Sequence, residues 1–166
     1  MTENQIMAIL KTGFLLQYFT KEAIQSWARY KLEHQDAGSA IFDLTFSHPK
    51  QGEIIIILNK ISGPGHDKVI KEYFFGFYRK TFLSNQFPAR VIEKEIIRFI
   101  EMDMVELSEE EAVFFVQLDA DYSLWKDGIS FESDIQHLSF LDRYTKFEEI
   151  QSALSAESIP EPILPN

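Results

Sequence analysis

Residues 49–61, PKQGEIIIILNKI, constrain the fold more than any other stretch of this chain. Four isoleucines and a leucine in a row can lie in a buried strand or along a helix. The Gly63-Pro64-Gly65 bend and Lys68 beyond it would turn the strand version into a candidate phosphate cradle. Thirteen residues are long for a strand and ordinary for a helix. Pro49 suits a first helical turn, where its missing N–H would have no partner anyway. Ile54, Ile57, Leu58 and Ile61 keep the i, i+3, i+4, i+7 spacing, with Ile55 and Ile56 widening the face. β-branching favours a strand, but length, proline and spacing outweigh it. The expectation is a helix, apolar nearly all round and so wrapped by other helices.

The phosphate loop then fails on its own pattern. It needs Gly-Lys-Ser or Gly-Lys-Thr, and Gly65 is followed by His66-Asp67-Lys68-Val69; Gly63 and Gly65 also miss the G-x-G-x-x-G spacing. Gly-Pro-Gly reads as a turn between helices. Asp67 can cap the next helix, and would then fill its anion-attracting end with its own carboxylate.

Other segments follow the helical period. The first dozen residues place Ile6, Ile9 and Leu10 together, with Gly13 set to end the helix. Thr20 caps a helix carrying Ile24, Trp27 and Ala28. In 40–46, Phe42, Leu44 and Phe46 alternate as in a strand, although two helical turns fit the length; helix is preferred. Downstream, Ile70, Tyr73, Phe74 and Phe77 form one stripe, and Ile92, Ile96, Phe99 and Ile100 another. Ser108 and Glu111 make a capping box for LSEEEAVFFVQL, and three glutamates in its first turn suit the helix dipole. SDIQHLSFLDRY turns Ile135, Leu138 and Leu141 inward, and FEEIQSAL is a last short helix. The expected fold class is all-α: a compact bundle of about eight short helices with at most one short strand. Residues 1–155 read as one helical domain, and the Pro-rich tail 156–166 as extended or disordered.

Charge placement narrows the function. Eleven acids (Glu101, Asp103, Glu106, Glu109, Glu110, Glu111, Asp119, Asp121, Asp127, Glu132 and Asp134) and one base, Lys126, lie within 101–134. The rest of the chain is balanced, so the whole net charge of −10 comes from this stretch. It would repel phosphate backbones and attract a basic protein; the plainer reading is a solvated face that keeps the chain soluble. The basic, aromatic-rich stretch from Lys68 to Arg98 reads as core aromatics whose basic neighbours pair with the acids, so no nucleic-acid partner is expected.

Motifs for chemistry are absent. Asp119, Asp121, Ser123 and Asp127 imitate an EF-hand, but Leu124 stands where the loop needs glycine and Ser130 where it needs glutamate. His34, His48, His66 and His137 are scattered singly and read as surface, turn or cap residues. There is no cysteine and no G-x-S-x-G. The chain is therefore expected to have no catalytic residues, no metal site and no cofactor. Without a basic leader or an apolar run long enough to span a membrane, it is expected to be cytoplasmic.

Two stretches, GFLLQYFTKEAIQSWARYKLEH (13–34) and QLDADYSLWKDGISFESDIQHLSFLDRY (117–144), carry a resemblance. They are similar to features of a family of small bacterial proteins described only as a domain of unknown function, suspected to be immunity proteins of polymorphic toxin systems. The resemblance implies a helical cytoplasmic domain and toxin neutralisation, and supplies no active site. Combined with the acid excess, it gives the expectation of a non-enzymatic immunity protein (antitoxin) whose partner is a protein, a basic toxin domain. The expected contact residues are Tyr122 and Trp125 as anchors, with Asp119, Asp121 and Asp127 around them. The competing reading packs both aromatics into the core and lets the aspartates terminate a helix. A carboxylate-based metal-dependent hydrolase and an adaptor unrelated to toxins stand as alternatives.

Overall fold

The computed structural model describes residues 1–35, 38–46, 49–129 and 135–165, with side chains from 138 onward in the last segment. Among these residues the chain is all α, with no strand. The helices are α1 (Glu3–Leu15), α2 (Lys21–His34), α3 (Ser39–Phe46), α4 (Gln51–Ser62), α5 (Asp67–Leu83), α6 (Ala89–Glu101), α7 (Glu109–Lys126) and α8 (Phe147–Ser155), with a 3-10 helix at Ile135–Arg143 before α8. The chain falls into two compact units. The first unit is Met1–Ile70 with Glu148–Asn166, and the second is Lys71–Phe147, so one boundary falls inside α5 and the other at the start of α8.

In the first unit α4 packs on α1 and α3, and α2 packs on α3. The isoleucine run is helical, as length and spacing require, but α4 is not wrapped all round: Ile54 and Leu58 are fully buried while Ile56 is 69% exposed. Pro49 stands one residue before the N-cap, Lys50, whose amide donates to Glu53 Oε2 at 2.6 Å. In α3 the buried positions are Ile41, Leu44 and Thr45, a helical set, and Phe42 and Phe46 are exposed with ring centroids 4.6 Å apart. Of the alternating set that hinted at a strand, Phe42 and Phe46 therefore lie on the outer side of a helix and Leu44 on its inner side.

Gly13 does not end α1. The helix runs to Leu15 and stops where Gln17 takes a left-handed backbone (φ 62°). The Gly13 carbonyl accepts the Tyr18 amide at 2.7 Å and the Phe19 amide at 3.2 Å, which closes the helix end. The tail is non-helical and held in place. Ile159 and Leu164 are buried, the Ile163 amide donates to the Tyr18 carbonyl at 3.3 Å, and Gln151 Nε2 donates to the Ile159 carbonyl at 3.3 Å. Fully buried Trp27 donates Nε1–H to Glu157 Oε2 at 3.0 Å, and Lys31 Nζ lies 3.5 Å from both Glu157 and Glu3 carboxylates.

The second unit is built on α5, where every residue from 73 to 78 is buried. The stretch buried on every side is thus 73–78 of α5 rather than the isoleucine run of α4. Phe75 meets the rings of Phe99, Phe115 and Tyr144 at centroid distances of 5.1, 5.3 and 4.9 Å. Gly76 lets the backbone close on the 144–147 segment: a Cβ there would sit 2.8 Å from Phe147 Cβ. In the 3-10 helix, Leu138 and Leu141 are buried and Tyr144 continues the spacing of three that such a helix turns into one face. Ile135's side chain lies outside the described residues, as do His48, Ser130, Glu132, Asp134 and the side chain of His137.

The Ser108–Glu111 capping box forms as expected and carries more than a cap. Buried Glu111 accepts from the Ser108 amide (2.7 Å) and Lys71 Nζ (2.8 Å) through Oε2, and from the Tyr144 hydroxyl (2.6 Å) through Oε1. One carboxylate thereby joins α7, α5 and the end of the 3-10 helix. Burial alone would push Glu111 up, but Lys71, the Tyr144 hydroxyl and the Ser108 amide outweigh it and hold the group at about 2. Burial, and then the hydrogen bond to Glu111, push the Tyr144 hydroxyl well up.

Candidate partner-binding surface

The helix that begins at the capping box does not stop at Leu118; α7 continues through DADYSLWK to Lys126. Nothing in 119–126 breaks a helix, since the segment holds neither Gly nor Pro and Gly128 is the first residue that takes a positive φ (75°). This settles the EF-hand imitation in physical terms. Asp119, Asp121 and Ser123 radiate from a helix and cannot converge on one ion as a calcium loop makes them do. Among the described residues no three His, Asp or Glu side chains gather as a metal would need.

Four of the five expected contact residues lie on the last turns of α7 and the fifth, Asp127, is its C-cap; they divide by role. Tyr122 is half-buried and Trp125 is 38% exposed, with ring centroids 5.5 Å apart, so the tryptophan is not a core residue. Asp121 is ion-paired to Arg90 of α6 at 3.1 Å. The same guanidinium lies 5.4 Å from the Trp125 ring centroid and 2.8 Å from fully buried Glu93. Arg90 thus orients both Asp121 and Trp125. Asp119 is exposed, and among the described residues it forms no ion pair. Asp127 is the C-cap, at the helix end whose dipole disfavours a carboxylate. The aspartates therefore do not jointly terminate a helix; only Asp127 stands at an end.

The acid excess is partly consumed inside the unit. Glu110 pairs with Arg143 at 2.7 Å, Glu111 with Lys71 at 2.8 Å, and Asp121 with Arg90. The hydrogen bond from Arg143 holds exposed Glu110 below the usual carboxylate range. Lys94 and Arg98 of α6 and Lys126 of α7 also border the trough beside Tyr122, so the surface carries both signs.

Sequence reasoning missed a second apolar face of α7, opposite Tyr122 and Trp125 on the helix. Val113 (55%), Val116 (71%) and Leu124 (45%) are exposed on α7 while Phe114, Phe115 and Leu118 are buried, so the helix is apolar on two sides. The signal was present: once the helix runs to Lys126, positions 113, 116, 120 and 124 fall on one face and read Val, Val, Ala, Leu. Across the groove, Ile97 and Ile100 of α6 are half-buried. With Leu107, Phe115 and Val116 they bound a cavity of about 250 Å³.

Elsewhere, the segment leading into Gly63-Pro64-Gly65 is a helix, with positive φ at both glycines, and Lys68 is exposed. His66 caps that turn through the Ser62 carbonyl at 2.8 Å, and His34 stacks on Tyr30 in the last turn of α2. No described helix is long and apolar enough to cross a membrane. No family model, curated protein or solved structure matches this chain.

Proposed function

We propose that this chain is a non-catalytic binding protein of the bacterial cytoplasm, an immunity protein that neutralises a co-encoded toxin through the α6–α7 surface. One observation carries the reading. Trp125 stands 38% exposed at the end of α7 beside half-buried Tyr122, with its ring 5.4 Å from the Arg90 guanidinium and Asp119 and Asp127 on the same stretch of chain. A part-exposed tryptophan packed beside a tyrosine and an arginine has the composition of an interface anchor. The acids around them would raise the association rate with a basic toxin domain, and the aromatics would set the residence time. The resemblance of 13–34 and 117–144 to suspected immunity proteins supports the toxin as the partner class.

The test is co-expression with the toxin domain encoded beside the gene, followed by titration calorimetry. A stable complex is expected, with Tyr122→Ala and Trp125→Ala each weakening it about tenfold or more. Charge reversal at Asp119 and Asp127 should slow association and flatten its salt dependence. No complex, or one indifferent to all four substitutions, refutes the proposal.

A further inference from the structure

We infer that the trough between α6 and α7 seats one helix of the partner, whose apolar stripe fills the cavity at Ile100 and Val116 and whose following basic residue sits between Glu101 and Asp119. The inference rests on this surface binding a protein, and not on that protein being a toxin.

Shape comes first. The 250 Å³ apolar cavity continues into a second one of about 380 Å³ with a mixed, charge-bearing lining, and the two share Ile97, Glu101 and Asp119. The trough follows α7 from Ala112 at the apolar end to Lys126 at the polar end. Fourteen helical steps at about 1.5 Å each make it about 21 Å long, or about four turns. An elongated depression between two helices is the seat used in helix-in-groove recognition.

Charge then fixes the occupant. Along the trough the surface runs from apolar (Ile100, Phe115, Val116) through acidic (Glu101, Asp119) to basic (Lys94, Lys126). Among the described residues Glu101 and Asp119 form no ion pair, whereas Arg98 is held by Glu95 at 3.2 Å. The complementary helix reads apolar over two turns, Lys or Arg in the third, and Asp or Glu in the fourth. A second copy of this chain fits less well. Two-fold pairing about the middle of the trough would set Glu101 and Asp119 against their own counterparts, and like charges placed so are repelled.

Two synthetic helical peptides about four turns long test this by fluorescence anisotropy against the full chain. The first carries leucines at i, i+3 and i+4 in its first two turns, lysines in the third and glutamates in the fourth; the second exchanges the lysines and glutamates. The first should bind about tenfold or more tightly than the second. Asp119→Lys should abolish or invert that preference. Val116→Glu should remove binding, and because Val116 is 71% exposed the variant should keep its circular dichroism and melting point. Equal binding of the two peptides, no binding of either, or binding unmoved by Val116→Glu overturns the inference. So does a dimer in sedimentation velocity that Val116→Glu dissociates, since the occupant is then a second copy. A neighbouring toxin that binds Val116→Glu as well as the parent overturns the trough and leaves the immunity proposal standing. Discrimination between the peptides without toxin binding does the reverse.

Discussion

Glu111→Gln is the sharpest test of how the second unit is held together. The carboxylate accepts from an amide, an ammonium and a phenol on three elements, and its side chain is only 8% exposed. Its depression from 4.5 to about 2 converts, at about 1.4 kcal/mol per pH unit, to about 3 kcal/mol of folding stability. The folded-state value lies below the unfolded one, so this stability is complete above pH 4.5 and drains away as pH falls towards 2. By pH 3 about 2 kcal/mol of it should be gone. The substituted amide keeps the shape and loses the charge, and so lacks this dependence; every other carboxylate titrates in both proteins and cancels in the difference. Urea unfolding followed by far-UV circular dichroism at pH 6, 4.5 and 3 reads it directly. At pH 6 the variant should be less stable by about 3 kcal/mol, and the gap should shrink to about 1 kcal/mol at pH 3. A gap independent of pH would show that the ionised carboxylate is not what ties α7 to α5 and the 3-10 helix.

Three further outcomes follow from other contacts. Gly76→Ala should destabilise by about 1–3 kcal/mol in thermal melts, because the methyl meets Phe147 Cβ at 2.8 Å and this outweighs a helix-propensity gain of about 1 kcal/mol. Glu157→Ala should cost about 2–4 kcal/mol in urea unfolding, since it strips the Trp27 N–H of its acceptor and leaves buried Lys31 with Glu3 alone among its acids here. Trp125→Ala should cost only about 0.5–1 kcal/mol of stability, the worth of an exposed cation–π contact with Arg90, so any large loss of partner affinity in that variant reports contact and not unfolding.

The two helical signals that mislead from sequence are an apolar stripe and a glycine. Periodicity reports which side of a segment is apolar, but not how many of its sides have neighbours. The isoleucines of α4 look like the most enclosed stretch, yet Ile56 faces solvent while residues 73–78 of α5 are buried without exception. Gly13 looks like a helix stop, yet the left-handed residue is Gln17, and the Gly13 carbonyl is closed by the amides of Tyr18 and Phe19, whose side chains are buried. For the candidate surface, Tyr122, Trp125 and the aspartates are named from the acid excess and the resemblance of 117–144. The trough beside them could not be, because it needs α7 to outrun Leu118 and α6 to lie along it.

Local chemistry determined the helical class, the capping box at Ser108 and Glu111, the turn at Gly63-Pro64-Gly65, and the exclusion of a phosphate loop. Each depends on residues within about one helical turn of one another, and spacing alone expresses them. Packing decided that Glu111 joins three elements, that Arg90 orients Asp121 and Trp125, and that part of the acid excess is spent internally on Lys71, Arg90 and Arg143. Those partners are some thirty to forty residues apart along the chain. A charge's effect is set by its distance to the nearest opposite charge and by how much water lies between them, and only the folded arrangement of helices supplies either.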